Sequence, residues 1–129
     1  MKLQRPRLMI VDDDPDCRQL LSTLLRDEFF VLTAEEGFEG YSRSLANRPD
    51  IVMLDMQMPG WDGLRTLQAF RDNPKLRDIP ILMLSADSKR DNVLAAVEAG
   101  ASGYVRKDSF SKASLHERLR ELVTVDEPR

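Results

Sequence analysis

With 129 residues, the chain has room for one compact domain and not for a second folded module. Apolar residues make up 42% and charged residues 32%, with 7 Pro and 6 Gly, which fits a globular protein with a proper core and excludes disordered, collagenous and membrane-embedded classes. Nineteen Lys and Arg against 22 Asp and Glu leave a net charge of −3, wrong for a surface that grips nucleic acid, and the lone Cys17 and lone His116 exclude an internal disulfide and a four-ligand zinc site.

Short apolar runs alternate with helical stretches. The first run, Leu8 to Val11, precedes a helix over residues 15 to 27, with Asp14 as N-cap, Pro15 at its first position and Cys17, Leu20, Leu21, Leu24 and Leu25 on one stripe, Cys17 facing the core. The second, Phe29 to Leu32, leads to a fainter helix between residues 35 and 47, with Phe38, Tyr41 and Leu45 as its apolar face and Asn47-Arg-Pro49 closing it. After Ile51 to Leu54, Asp62-Gly63 opens a helix whose Leu64, Leu67 and Phe70 share a face before Asn73-Pro74 ends it. Ile81 to Leu84 follows, then a helix over 88 to 99 that carries Val93, Leu94 and Val97 and stops at Gly100, a left-handed C-cap position. Gly103 to Arg106 is a weaker fifth run, and the last helix, 111 to 123, carries Leu115, Leu119 and Leu122, with His116 expected on its exposed side.

Runs that are apolar at nearly every position suit parallel strands covered on both faces. Strand then helix, five times over, therefore predicts a doubly wound α/β sandwich. A single domain is expected over 1–129 with its core over 7–123, and residues 1 to 6 and Val125 to Arg129 read as frayed ends. The closing Asp126-Glu-Pro-Arg129 reads as the start of a linker, which tilts the expectation toward a domain cut from a longer chain. No run approaches the roughly 20 apolar residues of a membrane-spanning helix and no signal-peptide core is present, so a cytoplasmic location is expected.

In an open α/β sheet, ligands bind beyond the carboxyl ends of the strands, so polar residues at strand ends count most. The first strand ends in Asp12-Asp13-Asp14, the third in Asp55, the fourth in Ser85 and the fifth in Lys107. Two carboxylates about 4 Å apart repel by roughly 4 kcal/mol at an effective dielectric near 20, so these acids cannot converge without cations. Lys107 is one; a divalent metal is the other. Carboxylate oxygens without His or Cys suit Mg²⁺, which often completes its shell with phosphate oxygen. Asp14 reads as a plain helix cap, and Met53, Met56, Met58 and Met83 as packing.

Four segments, in this order at these strand ends, resemble the receiver domain of two-component response regulators, a family that includes the single-domain chemotaxis regulators. They are Leu8-Met-Ile-Val-Asp-Asp-Asp-Pro15, Ile51-Val-Met-Leu-Asp-Met-Gln-Met-Pro-Gly-Trp-Asp-Gly63, Ile81-Leu-Met-Leu-Ser-Ala86 and Ala99-Gly-Ala-Ser-Gly-Tyr-Val-Arg-Lys107. The resemblance implies a flavodoxin-like five-stranded parallel sheet of order 2-1-3-4-5 with helices on both faces. It implies Asp55 as phosphoacceptor and Mg²⁺ held by Asp12, Asp13, Asp55 and the backbone carbonyl of Gln57. Ser85 would hydrogen-bond the phosphoryl group, Lys107 would ion-pair with it, and Gln57 and Asp87 would tune its lifetime. The donor would be a phosphohistidine on a sensor kinase or phosphotransfer protein. Inward movement of Ser85, coupled to burial of Tyr104, would reshape the face of helix four, strand five and helix five for an effector or output domain. A homodimer through that face is common among such relatives. The domain would catalyse only its own phosphorylation and dephosphorylation, with no nucleic acid or membrane contact.

One position departs from the family pattern: Asp108 follows Lys107 where proline with a cis bond is usual. A non-proline cis bond costs about 2.5–4 kcal/mol, so a trans bond and a rearranged loop are expected, with Lys107 sitting differently and stabilising the phosphoryl group less well. Two rivals follow. A degenerate receiver, disabled by Asp108, would be an interaction module; a haloacid-dehalogenase-like phosphohydrolase would use a first-strand Asp nucleophile and turn over p-nitrophenyl phosphate. Trp61 would sit in a loop, free to meet a partner or to pack over the start of the third helix.

Overall fold

The structure, a computed structural model, describes residues 5–86 and 89–125. Residues 1–4 and 126–129, most of the predicted frayed ends, lie outside the described residues, as does Asp87. The chain runs β1 (Arg7–Val11), α1 (Pro15–Leu25), β2 (Phe30–Ala34), α2 (Gly37–Ala46), β3 (Ile51–Asp55), α3 (Gly63–Asp72), β4 (Ile81–Ser85), α4 (Arg90–Glu98), β5 (Gly103–Arg106) and α5 (Lys112–Val125). All strand pairs are parallel and the sheet order is β2-β1-β3-β4-β5, as expected.

Alternation along the central strands creates two cores. Met9, Val11, Val52, Leu54, Ile81 and Met83 face one way, against Leu67, Phe70 and Ala96 of α3 and α4. Leu8, Ile10, Ile51, Met53, Leu82 and Leu84 face the other, against Leu21, Leu25, Leu115 and Leu119 of α1 and α5. Every residue of β3 and β4 is buried, which is why these strands read as unbroken apolar runs. The helix punctuation acts as its chemistry dictates. Asp14 accepts a hydrogen bond from the Asp16 amide at 2.9 Å with Pro15 behind it, Asp62 accepts from the Arg65 amide at 2.9 Å, and Gly100 takes a left-handed φ of 102° after α4.

Several elements depart from the sequence reading, and on α1 Leu20 of the apolar stripe is 50% exposed. Strand β2 begins at Phe30, one residue late, because Phe29 turns into the α1–α5 core. On α2, Phe38 is 54% exposed and Leu45 also faces solvent, while Gly37, Gly40 and Ser44 are buried. The helix lies too close for larger side chains: a Cβ on Gly40 would stand 2.6 Å from Val11 Cγ2, and one on Gly37 would collide with Thr66. On α4, Leu94 and Val97 are exposed and Ala96 alone is buried. His116, expected at the surface, is only 8% exposed. Its Nε2 lies 3.1 Å from the carbonyl of Leu24, one of the last carbonyls of α1 that lack a helical donor, and its Nδ1 lies 3.3 Å from Glu28 Oε2.

Arg71 on α3 does what no periodicity announces. Its Nε and Nη2 donate to the Gly100 carbonyl at 3.0 and 2.8 Å, and its Nη1 donates to the carbonyls of Arg77 and Ile79 at 2.9 and 2.8 Å. One planar fork thus ties the end of α4 to the connection entering β4. Arg71→Lys keeps the charge and loses the fork; it should destabilise the chain by about 1–2 kcal/mol in urea and speed amide exchange at Ala101 and Ser102. An unchanged midpoint and exchange pattern would dismiss the clamp.

Candidate functional site

Register assembles the site. Val11 pairs with Leu54, so the next residues, Asp12 and Asp55, stand side by side; Asp55 pairs with Leu84 and Ser85 with Arg106, so Ser85 and Lys107 complete the same edge. The ladder continues past the strands: the Asp12 amide donates to Ala34 O at 3.1 Å, and the Lys107 amide to Ser85 O at 2.8 Å. Behind the site, α3 starts so close to β3 that a Cβ on Gly63 would meet the Asp55 carbonyl at 2.5 Å, so glycine is required there.

Asp12 is fully buried, Asp55 and Ser85 nearly so, and Asp13 is exposed. One carboxylate oxygen from each of Asp12, Asp13 and Asp55 lies within 4.8 Å of the others. Lys107 Nζ bridges the two buried acids, 3.0 Å from Asp12 Oδ2 and 3.1 Å from Asp55 Oδ2. Asp12 Oδ1 accepts from the Asp14 amide at 2.9 Å, Arg18 donates to the Asp12 carbonyl at 2.7 Å, and Asp55 Oδ1 accepts from the Gln57 amide at 3.2 Å. Cys17, read as a core residue of α1, is half-buried with its thiol against the Asp12 carboxylate; burial and that carboxylate push the thiol up to about 12.

The charges do not balance. Three carboxylates against one ammonium leave two negative charges if all ionise. Burial pushes Asp55 up to about 7, with the Asp12 charge adding to it and Lys107 only partly offsetting both. Burial acts on Asp12 too, but the Cys17 thiol, the Asp14 amide and Lys107 outweigh it and hold that carboxyl below its ordinary value. For the pair, one carboxylate ionises beside Lys107 and the second lacks a counter-charge. Burial alone would lower the Lys107 ammonium, yet its two acid partners raise it, so it stays protonated. Asp12 Oδ2 is buried, and the group it faces is the Lys107 ammonium at 3.0 Å, which it shares with Asp55. An all-oxygen donor set and a deficit of two charges fit a hard divalent cation.

The remaining expectations fall out as follows. The Lys107–Asp108 bond is trans, and with it Lys107 reaches both acids, while Asp108 pairs with Arg106 at 2.8 Å. Tyr104 is half-buried against the α3–α4 core and lines a cavity of about 250 Å³ beside α5. Trp61 packs edge-on to Phe38 at 5.2 Å, near Tyr41 at 5.6 Å and under the Arg65 guanidinium at 4.8 Å. The contacts of Arg18 and Cys17 with Asp12 escaped sequence reasoning; their spacing of one turn and more from the acids was the available signal.

Comparison with known proteins agrees with this geometry. The family model described as "Response regulator receiver domain" matches residues 8–120. The chain belongs to that family, as a receiver domain of the chemotaxis-regulator type in two-component signal transduction. It is 35% identical over 118 residues to "Chemotaxis protein CheY" of Pseudomonas aeruginosa, covering 90% of this chain and 94% of that protein. It is 31% identical over 121 residues to "Hybrid signal transduction histidine kinase D" of Dictyostelium discoideum, 94% of this chain and 8% of the kinase. The crystal structure of a putative response regulator from Chloroflexus aurantiacus superposes with a TM-score of 0.89 at 31% identity, covering 94% of this chain and 99% of that one. Among the described residues, no helix is long and apolar enough to cross a membrane.

The raised Asp55 carboxyl has a definite sign. A folded value of about 7 against 3.8 means that stability linked to the bound proton is fully present below pH 3.8 and is lost as pH rises through 7. In metal-free buffer at pH 8, Asp55→Asn should therefore be more stable than the wild type by about 1–3 kcal/mol, with the gap closing toward pH 4. Urea denaturation across that range checks it, and a variant weaker than wild type at pH 8 would overturn this account of the pocket.

Proposed function

We propose that this receiver domain takes a phosphoryl group from phosphohistidine, on a sensor kinase or a phosphotransfer protein, onto Asp55. The observation that carries the reading is the single ammonium of Lys107 set between Asp12 and Asp55, at 3.0 and 3.1 Å, beside an uncompensated third carboxylate. Asp12, Asp13, Asp55 and the Gln57 carbonyl would hold Mg²⁺. What the bound ion supplies is positive charge, against the acids and against the transferring phosphoryl group.

The residues of the chain do the rest. An Asp55 oxygen attacks phosphorus, the P–N bond breaks, and its electron pair returns to the imidazole of the donor, which takes up a proton; the product is an acyl phosphate. Lys107 pairs with one phosphoryl oxygen and Ser85 donates a hydrogen bond to another, so charge is met where it develops. The Gln57 amide holds the Asp55 carboxylate, and Gly63 lets α3 start against the Asp55 carbonyl, its own amide donating to the Met56 carbonyl at 2.9 Å. The phosphoryl group adds about 1.5–2 negative charges at the sheet edge. Ser85 and Tyr104 sit on adjacent strands there, and their rearrangement would present the face of α4, β5 and α5 to an effector or output domain in the cytoplasm. Exposed Leu94 and Val97 give that face an apolar component.

Incubation with acetyl phosphate and Mg²⁺ should add one phosphoryl group by intact mass, and Asp55→Asn should add none. No gain in the wild type would favour the interaction module. Because Asp55 ionises near pH 7, Mg²⁺ should bind about tenfold more weakly per pH unit below that value, through competition with one proton. Calorimetric titration reads this slope, which Asp55→Asn should flatten; an unchanged slope in the variant would move the proton to another residue.

A further inference from the structure

Lys107 has three carboxylates within its reach in sequence or space: Asp12 and Asp55 across the sheet edge, and Asp108 as its chain neighbour. It meets the first two. Asp108 is instead engaged by Arg106, whose Nη2 lies 2.8 Å from Asp108 Oδ2 at the protein surface. Arg106 is the last residue of β5, and the chain turns at Lys107 and Asp108, where the Asp108 carboxylate comes back to the Arg106 guanidinium. The sequence Arg106-Lys107-Asp108 thus sorts its charges: the outer two pair with each other, and the middle ammonium is left to the acid pocket.

We infer that Arg106 is a positioning residue for the pocket, acting through Asp108: it neutralises the carboxylate beside Lys107 and so keeps the Lys107 ammonium on Asp12 and Asp55. This rests on the proposed phosphoacceptor reading and adds to it a residue outside the pocket. It also explains how the chain keeps Lys107 in place with an aspartate after it. The pair is exposed on both sides, so its influence is modest and salt-sensitive.

The test is a double-mutant cycle. Arg106→Ala should slow acetyl-phosphate-dependent phosphorylation of Asp55 by about two- to fivefold at low ionic strength, the range of an exposed ion pair. Arg106→Lys should stay near wild type, since it keeps the charge. Asp108→Ala in the Arg106→Ala background should restore the rate, and the Arg106→Ala deficit should fade in about 1 M salt, where screening acts within roughly 3 Å. In parallel, the NMR resonances of the Lys107 ε-methylene and ammonium should shift toward those of solvent-exposed lysines in Arg106→Ala and return in the double variant. That readout needs no phosphorylation. An unshifted Lys107 in Arg106→Ala, or a double variant as slow as Arg106→Ala, overturns the inference. A wild type that gains no phosphoryl group overturns the phosphoacceptor reading, and the Lys107 resonances then still decide whether Arg106 positions it.

Discussion

One ammonium shared by buried acids is the constraint on which the molecule turns. Lys107 can answer the charge of Asp12 or of Asp55, not both, and the sheet gives neither acid a way out to water. The imbalance is set by the backbone. Parallel pairing of β1 with β3 puts Asp12 beside Asp55, and the β4–β5 register brings Lys107 over the same edge. A structure selected for stability alone would place an apolar or amide side chain at Asp55, since a buried, incompletely paired charge weakens the fold. That this edge is left short of positive charge is what makes its donor set fit a cation.

The two-sided sheet explains why the strain is tolerated. Its central strands are buried on both faces, and each face is closed by its own set of helices, so the strand ends are fixed by packing that does not depend on the pocket. The acids are also pinned locally. The Asp14 amide holds one oxygen of Asp12, the Gln57 amide holds one of Asp55, and Arg18 holds the Asp12 carbonyl.

The sheet and the pocket were legible in the sequence because both rest on strong signals: unbroken apolar runs for buried parallel strands, and ionisable residues ending them. The caps at Asp14, Asp62 and Gly100 were legible because their chemistry is local. The faces of α2 and α4 were not. Periodicity assumes that large apolar residues point inward; it fails on α2, which packs so closely that only Gly37 and Gly40 fit beneath it, and on α4, which buries Ala96 and leaves Leu94 and Val97 exposed. His116 and Arg71 were missed for the opposite reason: their partners are backbone carbonyls at distant chain ends, which leave no mark on spacing.

The same contrast separates the parts of the fold that are held from those that are free to respond. The end of α4 is tied through the Gly100 carbonyl to Arg71, while along its length the helix buries only Ala96 and exposes Leu94 and Val97. Its N-terminal end follows the strand that carries Ser85. The acid pocket and the N-terminal end of α4 are thus joined through β4, while the Arg71 clamp, on the far side of the sheet from α1 and α5, holds the other end of the helix beside β5.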